Sequence, residues 1–240
     1  MNGCDCARIR RHNPSYEEFY REFLLPNIPV VFSKSLTDLW PARQLWTAPN
    51  SAEICWDYLL EQYGDLEVAV ANCADVDSLG NQERDMMRFR EVLQLWKAGK
   101  GQSLYVKDWH LAKQLETVHI DPVVDPDASF YTTPDVFRDD WMNAYYIAHT
   151  NDDFRFVYMG AQGTFTPLHR DVYTSYSWST NITGRKRWWL FPPDQTPYLF
   201  MKHRKQNVYD VRNVNEKDFP YFHRARPIIL EQEAGETIFV

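Results

Sequence analysis

Apolar side chains in the first hundred residues recur mainly at helical spacing. Over residues 16–24 they stand at i, i+3, i+4, i+7 and i+8, which predicts an amphipathic helix. Similar spacing predicts further helices over residues 51–63 and 84–98, each with a glycine just beyond its end. Short strands are expected over residues 28–32 and 66–72, where the pattern alternates or is continuously apolar.

From Leu104 onward the period changes from helical to alternating. One helix is expected near residues 134–145, and the polar, basic segment 196–226 has no clear period, so it is predicted to be a long connection between strands. The predicted strands of this part are residues 104–108, 154–159, 169–179, 186–191, 227–231 and 237–240.

Composition and charge exclude several classes of protein. The chain has 240 residues, of which 15% are aromatic, so we expect a packed globular protein rather than a disordered one. With 26 Lys+Arg against 33 Asp+Glu the net charge is −7, and no basic run exceeds residues 185–187, so no direct nucleic-acid binding is expected. No apolar stretch approaches the roughly 18 to 20 residues of a membrane span. We expect no membrane partner and a location in the cytoplasm or the nucleus.

One short motif has the composition of a metal site. His169 and Asp171 stand two apart at the start of the predicted strand 169–179, where a period of two puts both side chains on one face. One imidazole, one carboxylate and a second imidazole from elsewhere form the facial triad of non-haem Fe(II) oxygenases. Taken alone, such a pair is a weak signal, and in most cases it is a chance match or a surface ion pair. The other six histidines have no partner at metal-ligand spacing.

Five further sequence blocks favour a metal site at this motif, because together they are highly specific. They are Tyr105-Val106-Lys107-Asp108-Trp109, Phe156-Val157-Tyr158-Met159-Gly160, Ser175-Tyr176-Ser177-Trp178-Ser179, the run from Gly184 to Pro193 and the run from Glu233 to Val240. With them the sequence resembles the jumonji-C family of Fe(II) and 2-oxoglutarate oxygenases over roughly residues 14–240. The resemblance implies Fe(II) as the metal, 2-oxoglutarate and O2 as co-substrates, and His169 and Asp171 as two iron ligands.

The resemblance also implies residues that bind the co-substrate. Lys186 matches the lysine that pairs with the distal carboxylate of 2-oxoglutarate, and the hydroxyls of Thr166 and Tyr105 match groups that bond the same carboxylate. Ser177 and Ser179 share a face of the predicted strand and line the pocket where related enzymes often carry Asn. The alternatives are a solvated lysine in a basic turn for Lys186 and ordinary strand packing for the hydroxyl groups.

The fold implied by the resemblance is mainly β with α. It is a double-stranded β-helix, a cupin-like jelly roll, with a helical N-terminal part. We expect residues 1–13 to be a flexible tail and residues 14–240 to be a single domain, helical over 14–103 and a C-terminally incomplete jelly-roll core over 104–240.

The third iron ligand of the family is a histidine shortly after the Gly-Glu-Thr strand, and this sequence ends at Val240 within that strand. We therefore expect the chain to be a fragment of a longer enzyme or the product of a truncated gene model. His203 and His223 precede the strand, and nothing in their spacing favours either as a substitute.

The activity implied by the resemblance is hydroxylation of a protein side chain. Within the family the nearest resemblance is to a lysyl hydroxylase, which implies a lysine of a translation termination factor as the substrate. Two alternatives stay open: a histone lysine demethylase, which uses the same chemistry on an N-methyl carbon, and a non-catalytic jelly-roll interaction module, because the third ligand is missing.

Overall fold

Chain segments distant in sequence pair with one another in the computed structural model. It describes residues 7–9, 13–48, 53–76, 81–118, 129–201 and 206–240. Two units result, one formed by Met1–Asp38 with Thr166–Val240 and the other by Leu39–Phe165. No helix in the described part of the chain is long and apolar enough to cross a membrane.

Strands and helices alternate irregularly along the chain. The strands are β1 (Ala7–Ile9), β2 (Val30–Phe32), β3 (Glu67–Val76), β4 (Gln82–Arg88), β5 (Leu104–Trp109), β6 (Val157–Gly160), β7 (Trp178–Thr180), β8 (Arg185–Leu190), β9 (Ile228–Glu233) and β10 (Thr237–Phe239). The α-helices are α1 (Tyr16–Phe19), α2 (Pro41–Leu45), α3 (Trp56–Tyr63), α4 (Phe89–Lys97), α5 (Leu111–Val118) and α6 (Trp141–His149).

The first unit contains a four-stranded sheet in the order β1-β2-β10-β7 and the antiparallel pair β8-β9. β10 is antiparallel to both of its neighbours, whereas β1 runs parallel to β2. Phe32 and Ile238 are fully buried, and the ring of Phe19 in α1 meets Phe239 edge to face at 4.8 Å. Burial of these side chains stabilises this sheet, whose strands lie before and after the candidate site in the sequence.

The second unit contains an antiparallel sheet in the order β4-β3-β5-β6. One face of this sheet carries Val68, Val70 and Val106, which are all buried. α4 buries its apolar side chains, and its Phe89 contacts the ring of Trp109 at 4.9 Å. This face is therefore the hydrophobic core of the unit.

Several predicted elements are confirmed. Residues 16–24 are helical, as an α-helix that continues into a π-helix over Tyr20–Leu24, and α3 ends at Gly64 as predicted. β5, β8, β9 and β10 lie within one or two residues of their predicted bounds. The fold is mainly β with α, as predicted, and its antiparallel pairs are consistent with a jelly roll.

Other predictions are wrong. The predicted helix 84–98 begins only at Phe89, because residues 82–88 pair with β3 as β4, and Met86 on that strand is 63% exposed. In the predicted strand 169–179 only the last two residues belong to a strand, β7. α5 was not predicted.

The predicted domain organisation consists of a flexible N-terminal tail and a single domain. Within residues 1–13, predicted to be a flexible tail, the structure describes Ala7–Ile9 as β1, which differs from that prediction. The single domain over residues 14–240 stays a prediction, and the chain divides into the two units given above. In segment 196–226 the described residues form turns, 3-10 helices and one isolated bridge between Phe200 and Asn207, in agreement with a long connection.

Candidate metal and co-substrate site

His169 and Asp171 meet in the connection between β6 and β7. The Nε2 atom of His169 lies 3.1 Å from Oδ1 of Asp171. Neither residue belongs to a strand, but Asp171 has an extended backbone with φ −66° and ψ 157°, which is compatible with side chains two residues apart lying on one side. A 3-10 turn over Val172–Thr174 follows directly after Asp171.

The imidazole of His169 is oriented by the backbone. Its Nδ1 atom lies 2.8 Å from the carbonyl oxygen of Pro167. A carbonyl only accepts, so Nδ1 donates, and in the neutral ring the lone pair is then on Nε2. This is the arrangement that metal-ligating histidines adopt, with the second ring nitrogen held by a carbonyl or a carboxylate.

The pair of acceptors fits a divalent cation. A lone pair on Nε2 of His169 facing an ionised Asp171 repels it unless a proton or a cation lies between them. Two ligands at right angles, each about 2.1 Å from one ion, are about 3.0 Å apart, which matches the observed 3.1 Å. The donor set, one imidazole nitrogen and one carboxylate oxygen, also suits Fe(II).

The carboxylate of Asp171 is stabilised in its ionised form. Without a metal, a proton on Nε2 of His169 forms a hydrogen bond that holds the pKa of Asp171 below its usual value, and a second hydrogen bond, from the hydroxyl of Ser177, acts in the same direction. Ser177 therefore contacts a proposed iron ligand, which sequence reasoning did not anticipate. Its predicted place in the co-substrate pocket stays a prediction.

The turn after Asp171 has an uncommon backbone. Tyr173 and Thr174 have φ angles of 57° and 54°, in the left-handed region that side chains other than glycine rarely adopt. Each such residue costs about 1 to 3 kcal/mol, and such residues cluster at functional sites. This turn directly follows Asp171 in the chain.

Lys186 lies on β8, directly opposite Gln232 on β9. Its Nζ atom is 4.8 Å from the centre of the Trp188 ring, and burial lowers the pKa of Lys186 to about 8. This is a partly buried ammonium against an aromatic face, not a solvated lysine in a basic turn. Such an environment favours an anionic partner.

The remaining predicted residues are distributed between the two units. Thr166 lies three residues before His169 and is partly buried in the first unit. Ser179 on β7 is also partly buried there. The Ser179 carbonyl accepts a hydrogen bond from Gln232. Tyr105 belongs to the second unit, where it is buried on β5 with its ring 6.0 Å from that of Tyr158. The roles of these residues in binding 2-oxoglutarate stay predictions.

A second group of potential ligands was missed by sequence reasoning. His110, Asp152 and Asp153 bring three ligand atoms together in the second unit. Their charges are already compensated, since Nε of Arg155 is 2.7 Å from Asp153 and Nζ of Lys113 is 3.6 Å from Asp152. Two neighbouring cations oppose metal binding, so this cluster is better explained as an ion-pair network.

A comparison with protein families identifies the class of protein. Residues 16–240 match the profile of the family described as Cupin-like domain. The chain therefore belongs to the cupin-like domain family, in agreement with the paired antiparallel strands.

Comparison with curated proteins confirms the resemblance to the jumonji-C oxygenases. The chain is 39% identical to the 2-oxoglutarate and iron-dependent oxygenase JMJD4 of Gallus gallus over 94% of its own length and 53% of that protein. It is 39% identical to the JMJD4 of Homo sapiens, over 94% of the chain and 54% of the relative. It is also 38% identical to the arginine-specific demethylase JMJ20 of Arabidopsis thaliana, over 97% of the chain and 52% of the relative. The chain thus spans about half the length of these relatives.

Proposed function

We propose that the protein is part of an Fe(II)- and 2-oxoglutarate-dependent oxygenase that hydroxylates a protein side chain. The observation that carries this proposal is the 3.1 Å approach of His169 Nε2 to Asp171 Oδ1, with His169 Nδ1 held by a carbonyl. The names of the relatives support it, since they are iron and 2-oxoglutarate enzymes.

His169 and Asp171 would hold Fe(II) through Nε2 and a carboxylate oxygen. When bound, Fe(II) with 2-oxoglutarate and O2 supplies oxidative decarboxylation of the keto acid coupled to hydroxylation of a C–H bond. The Pro167 carbonyl keeps the proton of His169 on Nδ1, so that Nε2 stays available. Ser177 donates to Asp171 and keeps its carboxylate ionised and oriented.

Lys186 would bind the distal carboxylate of 2-oxoglutarate. Its ammonium is confined by the Trp188 ring and by the strand on which it lies, so little side-chain entropy is lost when an anion binds. By resemblance, the hydroxyls of Thr166 and Tyr105 would donate to the same carboxylate, and Ser177 and Ser179 would line the pocket.

We propose a lysine of a translation termination factor as the substrate, as the sequence resemblance implies. A second candidate is removal of a methyl group from arginine, which the name of the Arabidopsis relative supports at nearly the same identity. Hydroxylation and demethylation begin with the same attack on a C–H bond. They differ in whether the product keeps the new hydroxyl group or loses formaldehyde.

The deciding experiment is mass spectrometry of candidate peptides after incubation with the protein, Fe(II), 2-oxoglutarate and O2. A lysine peptide that gains one oxygen atom supports the hydroxylase, whereas a methylarginine peptide that loses one methylene unit supports the demethylase. If succinate forms with neither product, the substrate proposal fails. If no succinate forms in the full-length protein, the oxygenase proposal fails and a non-catalytic interaction module becomes the better explanation.

A further inference from the structure

The segment that carries His169 has little regular structure to hold it in place. Residues 161–171 belong to no helix or strand, and the His169 side chain is 55% exposed. A side chain that is so open to solvent can adopt several rotamers, whereas a metal ligand has to be kept in one orientation. Contacts from elsewhere in the chain are therefore needed to fix the backbone at His169.

The long connection over residues 196–226 binds both polar groups of the Leu168 backbone. The N–H of Leu168 donates to the carbonyl of Tyr209 at 3.0 Å, and the carbonyl of Leu168 accepts a hydrogen bond of 2.8 Å from Nδ2 of Asn207. This carbonyl belongs to the planar peptide group between Leu168 and His169. Asn207 therefore holds the peptide plane from which the proposed iron ligand extends.

Asn207 is itself on an anchored part of the connection. It forms an antiparallel bridge with Phe200, and the N–H of Val208 donates to the carbonyl of Leu199 at 2.8 Å. Val208 and Leu199 are both buried, which fixes the backbone beside Asn207 and its bridge partner. A donor on a backbone that is already ordered loses little conformational entropy when it forms a hydrogen bond. Asn207 thus donates from a fixed position.

A second contact from the same connection lies on the other side of His169. Nη2 of Arg170 donates a hydrogen bond of 3.0 Å to Oγ1 of Thr196. This contact is exposed, whereas the bond between Asn207 and Leu168 is partly buried, so we expect the Asn207 bond to contribute more. The residues before and after His169 are both tied to one connection.

We propose that Asn207 is a positioning residue, which holds the peptide group between Leu168 and His169 so that Nε2 of His169 faces the metal position beside Asp171. The inference deepens the proposed function and rests on it, since it takes His169 as a metal ligand. Asn207 acts through the backbone of Leu168 and not through a contact of its own with the metal. The connection, which has no clear period in its sequence, thereby acquires a role.

Asn207→Leu tests this role, because leucine keeps the approximate shape of asparagine and cannot donate a hydrogen bond. The matched control is Asn213→Leu, at an exposed asparagine of the same connection. Mn(II) titration of the full chain, followed by electron paramagnetic resonance, measures the affinity for metal. Loss of a group that orients a metal ligand weakens metal binding by about ten- to a hundredfold. We expect about tenfold for Asn207→Leu, because this residue acts through a single peptide group.

A second measurement needs no metal. Hydrogen exchange of the Leu168 amide, which donates to Tyr209, reports how often this segment opens. In the metal-free protein Asn207→Leu should accelerate exchange at Leu168 by roughly two- to tenfold, the effect expected of one lost hydrogen bond. The amides of β10, in the same unit, should exchange as they do in the wild-type protein.

The comparison with β10 separates positioning from general destabilisation. A residue that serves only the stability of the fold would accelerate exchange equally at Leu168 and in β10 when it is replaced, and that outcome would overturn the proposal. Asn207→Ser, whose side chain is too short to reach the Leu168 carbonyl, provides a second variant in case leucine is not tolerated at this half-buried position. It should weaken Mn(II) binding in the same way.

Failure of this inference and failure of the proposed function give different results. If the wild-type chain binds Mn(II) through His169 and both Asn207 variants bind it as tightly as Asn213→Leu, the positioning role is overturned and the proposed function is unaffected. If the wild-type chain binds no Mn(II), the metal assignment in the proposed function fails, and the positioning role fails with it.

Discussion

The indole nitrogen of Trp188 donates a 2.9 Å hydrogen bond to Oε1 of Gln232. The same indole lies under the Lys186 ammonium. Gln232 is fully buried, and its Nε2 atom donates to the carbonyls of Ser179 and Glu236, both at 2.8 Å. One buried amide thus connects β7, β8 and the turn after β9, and it fixes the ring against which Lys186 lies.

Gln232→Ala is expected to destabilise the protein substantially. The substitution leaves an indole N–H and two carbonyls without this partner, and each such buried group costs about 1 to 3 kcal/mol. We expect the free energy of unfolding, measured with urea, to fall by roughly 3 kcal/mol. Gln206→Ala, at an exposed glutamine, is the control and should change it little. A loss equal to that of the control would show that the network does not contribute.

The affinity for 2-oxoglutarate should depend on pH through Lys186. Burial lowers the pKa of this lysine to about 8, so it is protonated below that pH and loses its charge above it. Because only the ammonium attracts a carboxylate, affinity should be retained below this pKa and fall as the pH rises through it. Lys186→Arg, whose side chain stays charged, should not show the fall. Calorimetry at several pH values checks this, and a flat wild-type profile would exclude the role.

Loss of either proposed iron ligand should abolish metal binding at the candidate site. His169→Ala and Asp171→Ala each remove one of two adjacent ligand atoms, and Mn(II) titration followed by electron paramagnetic resonance reports the loss. His223→Ala, at an exposed histidine, is the control. Retained Mn(II) affinity in His169→Ala would refute the assignment.

Ser177→Ala should weaken metal binding at low pH more than at neutral pH. The hydroxyl of Ser177 helps to hold the pKa of Asp171 below its usual value. Without this hydrogen bond the carboxylate is protonated at a higher pH, and protons then compete with the metal. Mn(II) affinity measured from acidic to neutral pH should therefore fall off earlier in the variant. Parallel profiles for the two proteins would mean that Ser177 does not act on Asp171.

Asp153→Ala should lower stability without changing metal binding. Its side chain is 1% exposed and lies between His110 and Arg155, so the substitution leaves a largely buried guanidinium with one partner fewer. Breaking a buried pair in this way costs about 3 to 5 kcal/mol. Glu116→Ala removes the exposed partner of the same arginine and should cost less. A drop in Mn(II) affinity in Asp153→Ala would instead identify this cluster as a metal site.

Local sequence patterns predicted those helices and strands in which each face keeps the same environment, buried or exposed, along its length. β8 and β9 alternate along their length, and the helix at residues 16–24 has one apolar stripe, so their spacing alone indicated the structure. The prediction failed for β4 because pairing with β3, and not the periodicity of its own sequence, decides the conformation of this segment. Sequence spacing indicated that the side chains of His169 and Asp171 lie on one side, and they meet with an extended Asp171 backbone although neither residue belongs to a strand.

The amino-acid sequence by itself determined the family, the two proposed iron ligands and most of the strands, because motifs and periodicity are local properties. Only the tertiary structure decided that Gln232 supports Trp188, that Ser177 contacts Asp171 and that Asn207 binds the Leu168 carbonyl. These relationships join residues through burial and hydrogen bonding, which depend on how the chain folds back on itself. No spacing along the chain encodes them.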